Sequence, residues 1–155
     1  MSQPDAASYY DDYPTCTETF STLRIFSTRL DPTQLTAELG VTPTRSFRMG
    51  ESHAKGLVRK AHGWLYSTQS LVDSRDSGRH IDMLLRLLEG KNSNLKSLRQ
   101  NGCDIDIVTF WGSIGQGGPA LHPEQMLKLG SLGLFMWWEV YFEGPDEAAT
   151  TGGSG

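Results

Sequence analysis

LDPTQLTAELG, residues 30 to 40, contains the start and stop signals of a helix, and the rest of the fold can be inferred outward from it. Asp31 is a residue type that caps helix N-termini, Pro32 suits the first helical position, and Gln34 stands where a capping box places it. Gly40 can adopt the left-handed conformation that ends a helix, and Pro43 prevents continuation. The preceding TFSTLRIFS is rich in β-branched and aromatic residues. The pattern therefore predicts a strand followed by a capped helix.

The same pattern recurs as LHPEQMLKLGSLG, residues 121 to 133. The matching residues are Leu30, Pro32, Gln34, Leu39 and Gly40 in the first copy and Leu121, Pro123, Gln125, Leu129 and Gly130 in the second. A duplicated β-α-β unit would explain the repeat, and so would similar capping of two unrelated helices. We predict an α+β fold with a mainly antiparallel sheet and helices on one face, for which a duplicated β-α-β, ferredoxin-like arrangement is one form.

The remaining elements follow from hydrophobic periodicity. Strands are predicted at GWLYST, CDIDIVTFWG and LFMWWEVYFE, and a long helical region at residues 79 to 101, interrupted at Gly90 and closed by Gly102. In the last strand, alternation predicts that Met136, Trp138, Val140 and Phe142 face the core. We expect one α+β domain over residues 17 to 143, a disordered acidic arm at 1 to 16 and a disordered tail at 144 to 155.

Composition restricts the class of protein. The 155 residues suffice for one core and contain neither a secretory signal pattern nor an apolar stretch of membrane-spanning length. We therefore expect a cytoplasmic protein with two free thiols, Cys16 and Cys103. The net charge is −4, but residues 19 to 143 hold 12 acids against 14 bases. The predicted domain is thus slightly basic, which leaves an anionic partner open.

The segment from residue 44 to residue 64, TRSFRMGESHAKGLVRKAHGW, concentrates positive charge. It contains Arg45, Arg48, Lys55, Arg59 and Lys60, interleaved with Phe47, His62 and Trp64. Such a surface can hold a small anionic ligand, a nucleotide or an acidic protein face, whereas charged loops more commonly only solvate a surface. We expect a protein or a small anion here, not nucleic acid.

The other face of the last strand carries Trp137, Glu139 and Tyr141. Aromatic side chains beside charges are typical of interface anchors, although a covering helix or the N-terminal arm would explain them equally well.

No catalytic or metal-binding signature is present. The glycine run GSIGQGG, residues 112 to 118, lacks the lysine of a phosphate loop, and no two histidines have helical ligand spacing. A carboxylate and histidine pair, Glu139 or Glu51 with His62, is the enzymatic alternative, and the sequence cannot show whether these residues meet. We expect neither a cofactor nor a metal.

The residues together resemble the bacterial family of proteins called domain of unknown function 4279, over about residues 20 to 143. The shared features are Leu30, Pro32, Leu35, Leu39, Gly40, Pro43, Gly50, Trp64, Glu139 and Tyr141. Where the family's ending leads us to expect aspartate, this chain has Glu139. The resemblance implies a small, stand-alone protein similar in profile to immunity proteins of toxin systems, and it supplies no activity.

Three functions are compatible with these observations. The first is a non-catalytic protein-binding module of the immunity or inhibitor type, monomeric or dimeric through free sheet edges. The second is a binder of a small anionic ligand or nucleotide through the segment at 45 to 60. The third is an enzyme that uses the carboxylate and histidine pair.

Overall fold

A computed structural model describes residues 8–144. Their elements, in chain order, are β1 (Cys16–Ser27), α1 (Pro32–Leu39), β2 (Arg45–Phe47), β3 (Ser52–His53), β4 (Leu57–Val58), β5 (His62–Ser67), α2 (Ser77–Leu87), α3 (Asn92–Gln100), β6 (Asp104–Ser113), α4 (Pro123–Ser131) and β7 (Phe135–Phe142). The prediction of an α+β fold is confirmed.

The main sheet has five strands in the order β2-β5-β1-β6-β7. The pairs β2–β5, β5–β1 and β1–β6 are antiparallel, and only β6–β7 is parallel. β3 and β4 form a separate two-stranded hairpin between β2 and β5. The sheet is therefore mainly antiparallel, as predicted, with β2 and β7 at its two edges.

The helices pack on one face of this sheet. The strands contribute to the core side chains that share that face, among them Leu23, Ile25, Trp64 and Ile107. The four helices contribute Leu35, Leu39, Ile81, Leu84, Leu88, Leu95, Leu98 and Leu129. Each such side chain stabilises the fold by roughly 1.5–3 kcal/mol when it is fully buried. The other face of the sheet contributes nothing to this cluster.

The capping predicted for α1 is confirmed. Asp31 accepts a hydrogen bond from the backbone N–H of Gln34, and the Gln34 side chain accepts one from the backbone N–H of Asp31, both at 2.9 Å. Gly40 has φ of +72°, a left-handed conformation in which a Cβ would be strained.

The two copies of the repeat do not form equivalent units. Leu35 is buried in α1, whereas its counterpart Met126 in α4 is exposed and Gln125 points inward instead. Gly130 lies inside α4, and Gly133, with φ of +65°, follows its end. The strands on either side of α1, β1 and β2, run in the same direction with β5 between them, because each pairs antiparallel with β5, whereas those on either side of α4, β6 and β7, are parallel neighbours. Both helices therefore connect two strands of the same direction, and the two copies differ in the spacing of those strands and in the side chain that each helix buries.

The described part of the N-terminal arm contacts the domain. The hydroxyl of Tyr9 donates to Asp82 in α2 at 2.5 Å, the Asp11 carbonyl accepts from the Arg75 backbone, and the ring of Tyr13 packs edge-on against Trp111. These contacts hold residues 8 to 15 against the helical side of the molecule. Residues 1 to 7 and 145 to 155 lie outside the described residues.

Two positions in β7 differ from the prediction of a core-facing set. Val140 and Phe142 lie on the helical side of the sheet but are 57% and 70% exposed. Sequence alternation correctly assigned their face, but the helical layer does not extend over the last residues of this edge strand. No helix within residues 8–144 is long and apolar enough to cross a membrane.

Candidate functional site

The face of the sheet opposite the helices is the largest feature that packing leaves unexplained, and we call it the uncovered face. Strand alternation and register place on it the side chains of Phe20, Arg24, Phe26, Arg45, Phe47, Asp104, Asp106, Phe110, Trp137, Glu139 and Tyr141. Within residues 8–144 no helix packs against this face. A sheet face normally buries apolar side chains against a second layer. This one instead presents aromatic rings to solvent.

An ion pair between neighbouring strands forms its centre. Arg24 donates from Nε and from a terminal nitrogen to the two carboxylate oxygens of Asp106, at 2.7 and 2.6 Å. The Arg24 guanidinium also lies 5.2 Å from the ring centre of Phe26 and 5.4 Å from that of Trp137. Asp106 raises the pKa of Arg24, chiefly through these hydrogen bonds. Arg24 is thus held in place and is not a free anion-binding group.

A row of aromatic rings crosses the face toward the end of β7. Phe20 and Phe110 stack with ring centres 5.0 Å apart, and the ring of Tyr141 lies 5.7 Å from that of Phe110. The carboxylate of Glu139 belongs to the same face, and that of Glu143 lies over Gly112. This part of the face combines apolar rings with negative charge, which suits a partner that presents basic side chains.

The basic segment does not act as one cluster. Arg48 is paired with Asp31, 3.3 Å away, and donates to the Thr33 hydroxyl at 3.2 Å, so it supports the start of α1. Arg45 is exposed on the edge strand β2, and Lys55 is exposed in the β3–β4 hairpin. The five basic side chains of the segment therefore lie in different parts of the structure and do not form one binding surface.

Two of them, Arg59 and Lys60, line an open groove of about 410 Å³ beside the uncovered face. The rest of its lining is His53 and the apolar residues Phe26, Phe47, Leu57, Val58 and Ala61. The Arg59 guanidinium lies 3.9 Å from the ring centre of Phe47. A planar cation over an aromatic ring beside a lysine is an arrangement that can hold a small anion.

Trp64 cannot contact a partner, and one ring nitrogen of the half-buried His62 is engaged within the chain. Trp64 is fully buried, and its Nε1 donates to the Thr36 hydroxyl at 3.0 Å. The Nδ1 atom of His62 accepts the backbone N–H of Met49 at 3.0 Å, which fixes the start of the hairpin. Both residues therefore have structural roles.

The structure does not bring Glu139 and His62 together. Glu139 lies on the uncovered face of β7, whereas His62 pairs with Ser27 and lies on the helical side of β5. Two strands, β1 and β6, separate them. In the described residues, no hydrogen bond joins the Glu51 side chain to His62 either. The acid and base pair of the enzymatic alternative is not formed.

Other reactive groups of the described chain are withdrawn from solvent. Burial raises the pKa of Cys16 to about 11 and raises that of Cys103 as well, so both thiols stay protonated near neutral pH. No cluster of three or more metal-ligating side chains occurs within residues 8–144.

Sequence reasoning found Trp137, Glu139 and Tyr141 but missed their neighbours on the face. The available signal for Phe20, Arg24 and Phe26 was strand alternation. Their side chains lie an odd number of residues from Leu23 and Ile25 in β1 and therefore point to the face opposite these core residues. Which strands would lie beside β7 could not be read from local sequence. The central pair of Arg24 and Asp106 therefore went unnoticed.

Comparison with known proteins identifies the family. The model of the family described as domain of unknown function (DUF4279) matches residues 17–143. The chain belongs to this family. No curated protein and no solved structure matches it.

The residues that carried the family resemblance divide into two groups in the fold. Pro32, Leu35, Leu39 and Trp64 are buried in or beside α1. Packing therefore accounts for them. By contrast, Glu139 and Tyr141 lie on the uncovered face, where Tyr141 is 57% exposed. Core packing does not account for these two.

Proposed function

We propose that this protein is a non-catalytic binding module that holds a partner protein on its uncovered face. The observation that carries the proposal is the five-strand face without a helical cover, on which aromatic rings surround a fixed ion pair. Exposed apolar patches of this kind mark interaction sites. A rigid sheet also loses little conformational entropy on binding, which favours a partner of fixed shape.

The charges on the face favour a particular kind of partner. Asp104, Glu139 and Glu143 lie there unpaired with any base in the described residues, whereas Arg24 is already engaged by Asp106 and Arg45 lies on β2 at the opposite edge from Glu139. A phosphate backbone would be repelled by these carboxylates. A protein surface with arginine or lysine between apolar side chains would be complementary to them, and an inhibitor or immunity protein acts by covering such a surface.

Site-specific photo-crosslinking tests this function. A benzoylphenylalanine in place of Phe110 lies in the middle of the face, and one in place of Leu127 lies on exposed α4 as a matched control. In the source cells, the photo-crosslinker at position 110 should become attached to one partner protein. The photo-crosslinker at position 127 should not become attached to that protein. With that protein purified, Phe20→Ala should weaken binding by about tenfold or more, and Leu127→Ala should leave it unchanged. Equal cross-linking from both positions, or equal affinity of both variants, would refute the proposal.

A second candidate is a small anionic ligand in the groove beside Phe47. It is favoured by the 3.9 Å stacking of Arg59 on Phe47 with Lys60 lining the same groove. Inorganic phosphate or ATP should then raise the melting temperature, and the double substitution of Arg59 and Lys60 by alanine should abolish the rise. Arg45→Ala, which removes an exposed cation outside the groove lining, is the control. A rise that survives the double substitution would exclude this groove.

A further inference from the structure

The outer edge of β7 offers a row of backbone groups that no other strand of the described chain pairs with. Among the described residues β7 is an edge strand, and β6 alone adjoins it. The backbone N–H of Glu143 donates to the Ser113 carbonyl of β6 at 2.7 Å. Because successive residues of a strand direct their N–H and C=O groups to opposite edges, those of Trp138, Val140 and Phe142 point outward.

The two edges of the sheet differ in how they are protected. β2 has three residues, begins with Arg45 and leads into the β3–β4 hairpin. β7 has eight residues, FMWWEVYF, with a single charge, no proline and an uninterrupted register on β6. Short length, charge and irregularity are the usual means of preventing a sheet edge from pairing. β2 has them and β7 does not.

The side chains in the second half of β7 are exposed on both faces of the sheet. Tyr141 on the uncovered face is 57% exposed, and Val140 and Phe142 on the helical side are 57% and 70% exposed. The last four residues of the strand are all exposed. A strand added to this edge would cover apolar groups that neither the helices nor the sheet cover.

We propose that β7 pairs antiparallel with β7 of a second copy of this chain, about a two-fold axis that passes through Val140. The two five-stranded sheets then form one continuous sheet, with both uncovered faces on the same side. Val140 lies opposite Val140 of the second copy, and Trp138 lies opposite Phe142. Roughly six backbone hydrogen bonds join the outward-pointing groups of these residues.

Charge and exposure select this register. A register centred on Glu139 would place two carboxylates directly opposite each other, which is destabilising. Centring on Val140 instead places Glu139 opposite Tyr141, whose hydroxyl can donate to a carboxylate. A register centred on Trp138 would set Phe142 opposite Leu134, which precedes the strand. A register centred on Tyr141 would place Glu139 opposite Glu143, again two carboxylates. The Val140 register therefore pairs the exposed half of β7 with itself without opposing like charges.

The dimer should be weak and reversible. With roughly 150–250 Å² for each large aromatic side chain, the two copies together bury about 1,000 Å², the lower limit for a specific interface. We expect a dissociation constant of roughly 10–100 µM, because interfaces below about 1,200 Å² belong to weak, transient associations.

Sedimentation velocity over a concentration series tests the proposal with the full chain. The wild type should shift from monomer toward dimer between about 2 and 200 µM, the range set by the expected affinity. Val140→Pro removes an outward N–H and leaves the hydrogen bonds to β6 intact, so it should fold and remain monomeric. Val140→Thr keeps both the N–H and the β-branched shape and should dimerise as the wild type does. A monomeric wild type at 200 µM, or a Val140→Pro variant that dimerises normally, would overturn the proposal.

Cysteine cross-linking tests the register. Val140→Cys should form a disulfide-linked dimer on mild oxidation, because the two side chains are opposite each other at the axis. Trp138→Cys should not, since the axis separates its two copies by about four residues of strand. The native thiols, Cys16 and Cys103, are buried and contribute little background. Efficient cross-linking from Trp138→Cys and none from Val140→Cys would reject the register.

The dimer does not depend on the proposed function. The photo-crosslinker at Phe110 lies on β6, one strand inward from the paired edge. A monomeric wild type would therefore leave the partner test unaffected. Absence of a cross-linked partner would equally leave the sedimentation result unaffected.

Discussion

Replacing Arg24 and Asp106 by neutral side chains of similar shape measures how much their interaction stabilises the centre of the uncovered face. Arg24→Gln, Asp106→Asn and the double variant form a double-mutant cycle. Exposed ion pairs contribute about 0–1 kcal/mol. This pair makes two charge-assisted hydrogen bonds, and its side chains are only 26% and 23% exposed. We expect a coupling free energy of about 1–2 kcal/mol, because bidentate and partly buried pairs are less screened.

Urea unfolding of the four proteins, followed by far-ultraviolet circular dichroism, gives the coupling from four free energies of unfolding. Arg75 and Asp12 provide a matched control, because they are 3.6 Å apart and Asp12 is 93% exposed. The same cycle on that pair should give no coupling within error. A coupling below about 0.5 kcal/mol for Arg24 and Asp106 would place them among ordinary surface pairs. Arg24 would then be free to bind an anion, contrary to our reasoning.

Three further outcomes follow from the structure. Burial lowers the pKa of His80 below 6.5, so the unfolded chain binds a proton that the folded chain does not, and stability should fall as pH drops below 6.5. Urea unfolding between pH 7 and 5 measures this fall in stability, which should be smaller in His80→Gln; an unchanged fall would contradict this origin. In Gly63→Ala the new Cβ would lie 2.1 Å from the Phe47 ring. We therefore expect a loss of about 1–3 kcal/mol in the free energy of unfolding and an altered near-ultraviolet circular dichroism spectrum. A variant with wild-type stability and spectrum would show that the Phe47 ring does not lie over Gly63. Gln125→Leu removes hydrogen bonds at 2.9 Å to the Gly78 carbonyl and the Asp82 carboxylate, which should cost about 2–3 kcal/mol in the free energy of unfolding, whereas a loss below 1 kcal/mol would indicate that water replaces the amide.

Local sequence predicted most of the elements because their signals lie within a few residues of each other. The caps of α1 illustrate this, since Asp31, Gln34 and Gly40 each act on backbone groups one turn away or less. Alternation likewise placed Ile107 and Asp106 on opposite faces of β6. These inferences needed no knowledge of the strand order.

The same local signals misled where packing decided the outcome. The repeat predicted two similar helices, but α4 turns Gln125 inward because the amide finds partners in α2, at Gly78 and Asp82. Trp64 was expected near a binding surface, yet α1 covers it. Neither contact is visible in sequence, because the partners are more than 25 residues away along the chain.

The sequence by itself determined the helices, the strands and the alternation of side chains along each strand. It did so because caps and periodicity depend on short-range backbone geometry. Only the tertiary structure decided that β1 lies between β5 and β6 and that β7 is an edge. Strand order sets which side chains of distant segments meet, so the ion pair of Arg24 and Asp106, the face without a helical cover and the open edge at Val140 emerge only when the sheet is assembled.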